Sequence, residues 1–260
     1  MLYSAPVVPY LDRSGVQIWY EEHGRGPAVL LTHGYGATGA MWEPQIRGLT
    51  DSCRLIVWDL RGHGRSDSPE DPSAYSVPAC LADMAAILDA CGVDVAVIGG
   101  LSLGGYLSLA FLLDYASYVR ALMLFDTGPG YRNQEGRNAW NAMAERYAHA
   151  LEERGLAALG STAEVASSHH RSASGLALAA RGILTQHDAR VIDALPAIVV
   201  PALVLWGERD EAFVKPGEYM AAKIPGARRV VVPGAGHAAN LDRPAEFNAA
   251  LTQFLESVGA

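Results

Sequence analysis

The sequence lacks an excess of positive charge and any long apolar run, and each absence excludes a class of partner. Lys and Arg number 20 against 28 Asp and Glu, a net charge of −8. A protein that binds nucleic-acid phosphates needs a basic surface, and no basic stretch is present. No uninterrupted apolar stretch reaches the roughly 18 residues of a membrane span. We therefore expect neither a nucleic-acid partner nor a membrane segment.

Cysteine is scarce, and its placement bears on the compartment. Cys53, Cys80 and Cys91 are the only three in the chain. They are odd in number, widely spaced and outside any Cys-x-x-Cys motif, so we interpret them as reduced and structural. The first residues have neither the charged start nor the apolar core of a signal peptide. Both observations predict a cytoplasmic protein.

Apolar sequence, in contrast, is plentiful, since 50% of the 260 residues are hydrophobic. Short apolar runs alternate with helix-like segments, which is typical of an α/β fold whose mostly parallel twisted sheet carries helices on both faces. Residues 131–195 interrupt this rhythm with helical spacing and no strand-like run. We predict a core formed by 1–130 and 196–260 and a helical cap insertion, 131–195, over the carboxyl ends of the strands. The predicted strands are 16–20, 28–32, 54–59, the run before Ser102, 119–126, 202–207 and 228–232. Residues 7–8 are predicted to pair with 16–20 in a hairpin. The predicted helices are 42–49, 76–91, the run after Ser102, 215–224 and 244–258.

Residues 95–105, Val-Ala-Val-Ile-Gly-Gly-Leu-Ser-Leu-Gly-Gly, contain the strongest chemical signal. They predict a buried strand that turns directly into a helix with Ser102 at the apex. The glycines remove the β-carbons that would collide where strand and helix approach each other. The start of the helix offers free N–H groups and a positive dipole end beside the hydroxyl. This geometry suits a nucleophile that attacks a carbonyl group.

A serine hydroxyl needs a base within hydrogen-bond reach at neutral pH. Of the eight histidines, His237 is the best placed, because it lies in a glycine-rich loop just after a strand. Asp210 follows the preceding strand and is the candidate acceptor that would fix the imidazole tautomer. Asp126, at the end of the strand 119–126, is the alternative acid.

Five motifs in this order resemble the α/β-hydrolase superfamily over nearly the whole chain. The resemblance implies the α/β-hydrolase fold with a catalytic triad of Ser102, Asp210 and His237, and an oxyanion hole formed by the amides of Tyr35 and Leu103. Within the superfamily, the sequence is similar to small bacterial carboxylesterases and 3-oxoadipate enol-lactone hydrolases. The motifs are His-Gly-Tyr-Gly at 33–36, Asp-Leu-Arg-Gly-His-Gly-Arg-Ser at 59–66, Gly-Leu-Ser-Leu-Gly-Gly at 100–105, Gly-Glu-Arg-Asp at 207–210 and Gly-His at 236–237.

The function predicted on these residues is hydrolysis of small to medium carboxylic esters or lactones through an acyl-enzyme, with a small molecule as partner and no metal or organic cofactor. A carbon–carbon bond hydrolase of the meta-cleavage type is one alternative, although such enzymes usually carry Asn where this chain has Leu101. An acyltransferase or perhydrolase on the same triad, and a small-molecule sensor that retains it, are further alternatives. The sequence indicates no particular oligomeric state.

Other polar side chains near the motifs have structural interpretations. Asp59, Arg61 and His63 look catalytic, but we interpret them as fixing a turn beneath the site through side-chain-to-backbone hydrogen bonds. His33 is predicted to orient the loop that carries Tyr35, and is also a candidate for contact with the substrate.

The cap insertion contributes two further groups. Trp140, Met143 and Tyr147 recur at helical spacing and either line the acyl pocket or pack the cap onto the core. His169 and His170 are interpreted as solvated helix surface, because adjacent helical residues diverge and no carboxylate ligands lie nearby. We therefore expect no metal site there.

Overall fold

An eight-stranded sheet lies at the centre of the computed structural model, which describes residues 10–259. The strands are β1 (Tyr10–Asp12), β2 (Gln17–Gly24), β3 (Ala28–Thr32), β4 (Arg54–Trp58), β5 (Ala96–Leu101), β6 (Val119–Phe125), β7 (Ala202–Gly207) and β8 (Arg228–Val232). Their order is β1-β2-β4-β3-β5-β6-β7-β8. β2 pairs antiparallel with β1 and β4, and all other neighbours are parallel. The predicted mostly parallel α/β sheet is confirmed.

Helices cover both faces of this sheet, because its central strands are apolar throughout. All five residues of β3 are buried. Leu30 belongs to the core on one face and Leu31 to the core on the other, as alternation along a strand requires. No helix among residues 10–259 combines the length and apolar character needed to cross a membrane. The helices are α1 (Glu43–Leu49), α2 (Val77–Ala90), α3 (Leu103–Asp114), α4 (Gln134–Arg154), α5 (Ala163–Ala166), α6 (Ala173–Ala179), α7 (Arg190–Ala194), α8 (Val214–Lys223), α9 (Ala239–Asp242) and α10 (Pro244–Ser257).

The N-terminal hairpin is built by its turn residues. The Oδ1 of Asp12 accepts the N–H of Gly15 over 3.0 Å, and Gly15 takes the positive φ of 86° that this turn needs. Asp12 pairs with Gln17 in the resulting β1–β2 ladder. Residues 7–8, which the sequence also assigns to this hairpin, lie outside the described residues.

The chain between β6 and β7 contains helices α4 to α7 and, within these described residues, no strand; we refer to residues 131–195 as the cap. Its second half packs directly on the backbone of the core. A β-carbon on Gly62 would lie 2.5 Å from the carbonyl oxygen of Gly175 in α6. One on Gly182, in the π-helical turn Ala180–Leu184, would lie 2.0 Å from the carbonyl oxygen of Tyr75. Glycine is therefore required at position 62 in the core and at position 182 in the cap.

Candidate active site

Ser102 lies in the turn between β5 and α3 with φ 56° and ψ −115°. It is one of three non-glycine residues with positive φ among the described residues, and such a conformation costs about 1–3 kcal/mol. Its N–H donates to the carbonyl of Phe125 over 2.9 Å, and its carbonyl accepts the hydroxyl of Thr127 over 2.6 Å. A β-carbon on Gly104 would lie 2.1 Å from the carbonyl oxygen of Thr32. The strained turn is thus held by β6 and depends on the glycine beside it.

His237 and Asp210 form a hydrogen-bonded pair at the carboxyl end of the sheet. The Nδ1–H of His237 donates to Oδ2 of Asp210 over 2.7 Å. The Asp210 side chain is 5% exposed and that of His237 33%. The ring of Phe213 stacks on the imidazole with 5.0 Å between centroids. A proton on Nδ1 leaves Nε2 as an acceptor, which is the tautomer that a general base needs.

The structure brings Asp210 and His237 into direct contact and places Ser102 at the same edge of the sheet, since β5, β6, β7 and β8 are neighbours. Asp126 does not contact His237 by a hydrogen bond; its Oδ1 accepts the N–H of Gly207 over 2.7 Å. Among residues 10–259, neither the Ser102 Oγ nor the His237 Nε2 makes a hydrogen bond. Such bonds are often long in the absence of substrate.

The 33–36 loop packs against Ser102 from the other side. A β-carbon on Gly34 would lie 3.3 Å from the Cβ of Ser102. The N–H groups of Tyr35 and Leu103 donate to no other group in the described part of the chain. Leu103 is the first residue of α3, where a helix N–H has no partner within the helix. Two free amides therefore flank the serine.

His33 acts on this loop from inside the core. Its ring is completely buried, with Nδ1 donating to the carbonyl of Gly34 over 2.7 Å and Nε2 accepting the N–H of Leu60 over 3.0 Å. Burial lowers the pKa of His33 to about 3, so the ring is neutral. Because neither ring nitrogen is free, the expectation that His33 contacts the substrate is wrong, and its contacts are those of a residue that orients the loop.

The 59–66 turn is fixed by side chains, as its sequence indicates. Asp59 accepts the N–H of Gly39 over 2.7 Å and that of Arg65 over 2.8 Å. Burial raises the pKa of Asp59 to about 6, although both hydrogen bonds act in the opposite direction. His63 is buried and its Nε2 accepts the N–H of Gly36 over 3.2 Å. The turn thus supports the 33–36 loop.

His170 corrects one expectation from the sequence, because it lies in a loop between α5 and α6 and is half-buried. Its Nε2–H donates to the carbonyl of Gly36 over 2.8 Å, and its Nδ1 accepts the N–H of Gly64 over 3.1 Å. Burial lowers the pKa of His170. These partners are 134 and 106 residues away in the chain, so no local pattern could have revealed them. His169, in contrast, is exposed.

The three residues at helical spacing in α4 have different environments. Trp140 donates from Nε1 to the carbonyl of Leu184, also in the cap, over 2.7 Å and packs against the large hydrophobic cluster. Tyr147 is 46% exposed, and its ring stacks on that of Tyr35 at 6.1 Å with an interplanar angle of 7°. Met143 is half-buried. Of the three, Tyr147 contacts the 33–36 loop.

An open cleft of about 440 Å³ adjoins the same loop. A β-carbon on Gly36 would lie 3.3 Å from Leu159 and 4.0 Å from Val165, both in the cleft wall. The cleft is lined by Leu156, Leu159, Val165, Ser168, His169, His170 and Arg171.

Within residues 10–259, no group of three or more His, Cys, Asp or Glu side chains is arranged to hold a metal ion.

Comparison with known proteins agrees with this geometry. Residues 29–250 match the sequence model of the alpha/beta hydrolase family. The chain belongs to the alpha/beta hydrolase family. It is 28% identical to 3-oxoadipate enol-lactonase 1 of Acinetobacter baylyi, with 95% of this chain and 96% of that protein aligned.

Two solved structures extend the likeness to the whole fold. One is a thermophilic esterase from Thermogutta terrifontis, with a TM-score of 0.82 and 28% identity over 97% of this chain and 98% of that one. The other is the enol-lactonase from Burkholderia xenovorans LB400, with a TM-score of 0.77 and 26% identity over 95% and 100%. Membership of the family, together with these neighbours, supports hydrolase activity.

Proposed function

We propose that this alpha/beta hydrolase cleaves carboxylic esters or lactones of small to medium size through an acyl-enzyme on Ser102. The observation that carries the proposal is the 2.7 Å hydrogen bond from His237 to Asp210, at the sheet edge where the strained Ser102 is held. The esterase and the enol-lactonases among the similar proteins support the substrate class.

Acylation begins at the Ser102 hydroxyl. As its oxygen bonds to the substrate carbonyl carbon, its proton passes to Nε2 of His237, which then carries a positive charge facing Asp210. The tetrahedral intermediate collapses when the bond to the leaving oxygen breaks and Nε2 returns the proton to that oxygen. An ester releases its alcohol at this point, whereas a lactone keeps the hydroxyl on the acyl chain. Ser102 is left acylated in both cases.

Deacylation repeats these steps with water. His237 takes a proton from a water molecule as its oxygen attacks the acyl carbon, and returns the proton to the Ser102 oxygen as the acyl–oxygen bond breaks. In both tetrahedral intermediates, the negative oxygen accepts from the free N–H groups of Tyr35 and Leu103. Loss of one such donor typically lowers turnover by about 10²–10³.

The cleft beside Gly36 is the proposed binding place for the part of the substrate remote from the reacting carbonyl. Leu156, Leu159 and Val165 give its wall an apolar portion, which suits a short acyl or alkyl chain. The Tyr147 ring, which stacks on Tyr35 next to Gly36, is 46% exposed.

The nucleophile is tested with p-nitrophenyl butyrate and a fluorophosphonate probe. Wild-type protein should hydrolyse the ester and gain the mass of one probe less HF, while S102A and H237A should lose at least about 10³-fold in kcat/KM. S102A should also take up no probe. Matched controls are S257A, at the end of α10, and H149A, on the exposed face of α4, both of which should behave as wild type. Full activity of S102A, or probe bound to another serine, would refute the assignment.

The substrate class needs a separate measurement. A panel of p-nitrophenyl esters of increasing acyl length, γ- and δ-lactones, and one dienoate of the type cleaved at a carbon–carbon bond should show turnover of the first two groups. If the protein turned over only the dienoate, the proposed ester hydrolysis would be wrong. The same residues would then be assigned to hydrolysis of a carbon–carbon bond.

A further inference from the structure

Asp126 is a second carboxyl group beside the His237–Asp210 pair, and the proposed mechanism does not use it. It follows β6, is completely buried and has a positive φ of 43°. Strain of this kind persists only where surrounding contacts hold it. Its N–H donates to the carbonyl of Leu205 in β7 over 2.9 Å. The side chain is thereby directed to the place where the loop that bears Asp210 begins.

The contacts of this carboxyl join both loops of the proposed triad. Oδ1 accepts the N–H of Gly207, the last residue of β7, over 2.7 Å. The carboxyl of Asp210 and the N–H of Ala239, two residues after His237, both lie close enough to the Asp126 carboxyl to affect its pKa. Asp126 is thus bonded to the end of β7, from which the loop that bears Asp210 starts.

The second carboxyl oxygen of Asp126, Oδ2, bears on whether Asp126 is protonated beside Asp210. Oδ2 is buried, and no N–H or O–H donor in the described part of the chain is hydrogen-bonded to it. Two ionised carboxylates in buried contact repel each other, and one of them then keeps a proton. Burial, and next the charge of Asp210, raise the pKa of Asp126 well above that of an ordinary aspartate.

We propose that Asp126 is a positioning residue that remains protonated and donates a hydrogen bond from its carboxyl to Asp210, so that Asp210 stays directed at His237. The inference rests on the proposed function, because it assigns Asp210 to the triad. No proton passes between Asp126 and Asp210 during turnover, and the two carboxyl groups together carry a single negative charge. Asp126 faces the titratable carboxyl of Asp210, which is bonded in turn to His237.

Two substitutions test whether Asp126 acts as a hydrogen-bond donor to Asp210 rather than as a negative charge. In D126N, the amide NH₂ can donate to Asp210 while the amide oxygen accepts from Gly207, so the arrangement is kept. D126L keeps the branched shape with bulkier methyl groups, and it can neither donate to Asp210 nor accept the N–H of Gly207. We expect D126L to lose about 10- to 100-fold in kcat with p-nitrophenyl butyrate, and D126N to recover most of that loss.

The pH profile of kcat/KM tests the charge directly. Because a protonated Asp126 is neutral, D126N should leave the acidic limb where it is in the wild type. If Asp126 were ionised, its replacement would remove a negative charge close to His237, and the limb would move to lower pH by roughly one unit. D126N as inactive as D126L, a displaced limb, or a fully active D126L would each overturn the proposal.

A spectroscopic measurement makes the inference independent of turnover. In protein with ¹³C-labelled aspartate carboxyls, one aspartate should remain protonated at pH 7 and its signal should be absent from D126N. D114N, which removes a carboxylate bound to Arg190 at the surface, should remove an ionised signal instead. Ionisation of every aspartate at pH 7 would overturn the proposal. Failure of the wild type to hydrolyse esters or take up the probe would refute the proposed function and leave this measurement valid.

Discussion

His170 of the cap donates a 2.8 Å hydrogen bond to the carbonyl of Gly36 in the core. Its other ring nitrogen accepts the N–H of Gly64, so a single imidazole links the cap, the 33–36 loop and the 59–66 turn. The N–H of Gly36 is in turn bonded to His63. Histidines therefore hold both the N–H and the carbonyl of Gly36, the residue after Tyr35, and His33 holds the carbonyl of Gly34 before it.

The first prediction concerns this link. H170A should lower kcat with p-nitrophenyl butyrate by roughly tenfold with little change in KM, because a loosened Tyr35 amide stabilises the transition state less than a fixed one. H170Q, which can still donate to Gly36, should be affected less. H149A is the matched control, since His149 is exposed on α4 and is not among the residues that line the cleft. Equal effects of H149A and H170A on kcat would contradict the role.

The second prediction concerns the pH dependence of stability. Burial lowers the pKa of His63 well below its ordinary value, whereas in the unfolded chain it is about 6.5. Below pH of about 6.5 the unfolded state binds a proton that the folded state does not, so acidification destabilises the fold by up to about 1.4 kcal/mol per pH unit at this residue. H63Q does not titrate.

Urea unfolding of the wild type and H63Q at about pH 7.5, 6 and 5 measures this difference. The wild-type free energy of unfolding minus that of H63Q should be constant near neutral pH and should fall as the pH drops. Other titrating groups are common to both proteins and cancel. A difference that does not change with pH would mean that His63 takes up its proton as readily in the folded protein as in the unfolded chain.

The third prediction concerns the turn at Ser102. In G104A the added methyl would lie 2.1 Å from the carbonyl oxygen of Thr32 and 2.8 Å from that of His33. Strand and helix must move apart, at a cost of about 3 kcal/mol or more, and activity should be lost. Gly92, with φ +64° and nothing within 4 Å of an added β-carbon, is the control. G92A should cost only about 1–2 kcal/mol for its backbone conformation, and equal losses of unfolding free energy would contradict the packing argument.

The fold could be predicted from the sequence largely because its signals are local. The apolar run of β3 begins and ends where the sequence places it, at Ala28–Thr32. Ser76, expected at the start of a helix, accepts the N–H of Ala79 and caps α2. The positive φ of Ser102 follows from a strand that leads directly into a helix. Each of these features depends on a few consecutive residues.

What could not be predicted depends on contacts between distant segments. His170 looked like solvated surface because both of its partners lie more than one hundred residues away, at 106 and 134 positions. Asp126 stood out only as an alternative acid, because its contact with Asp210 requires the pairing of β6 with β7. Phe213, which stacks on His237, carries no motif. For the cap, helical spacing alone did not separate Trp140, which packs inward, from the more exposed Tyr147.

The backbone contacts between cap and core have a consequence for the exchange of substrate and product with solvent. A motion that lifted the whole cap would break the close contacts of Gly62 with Gly175 and of Gly182 with Tyr75. The 3-10 helix Gly155–Leu159 and α5, in contrast, contain no buried residue, and they border the cleft. We therefore expect substitutions in this short stretch to change how fast substrate enters and product leaves, while the sheet and its edge keep their geometry.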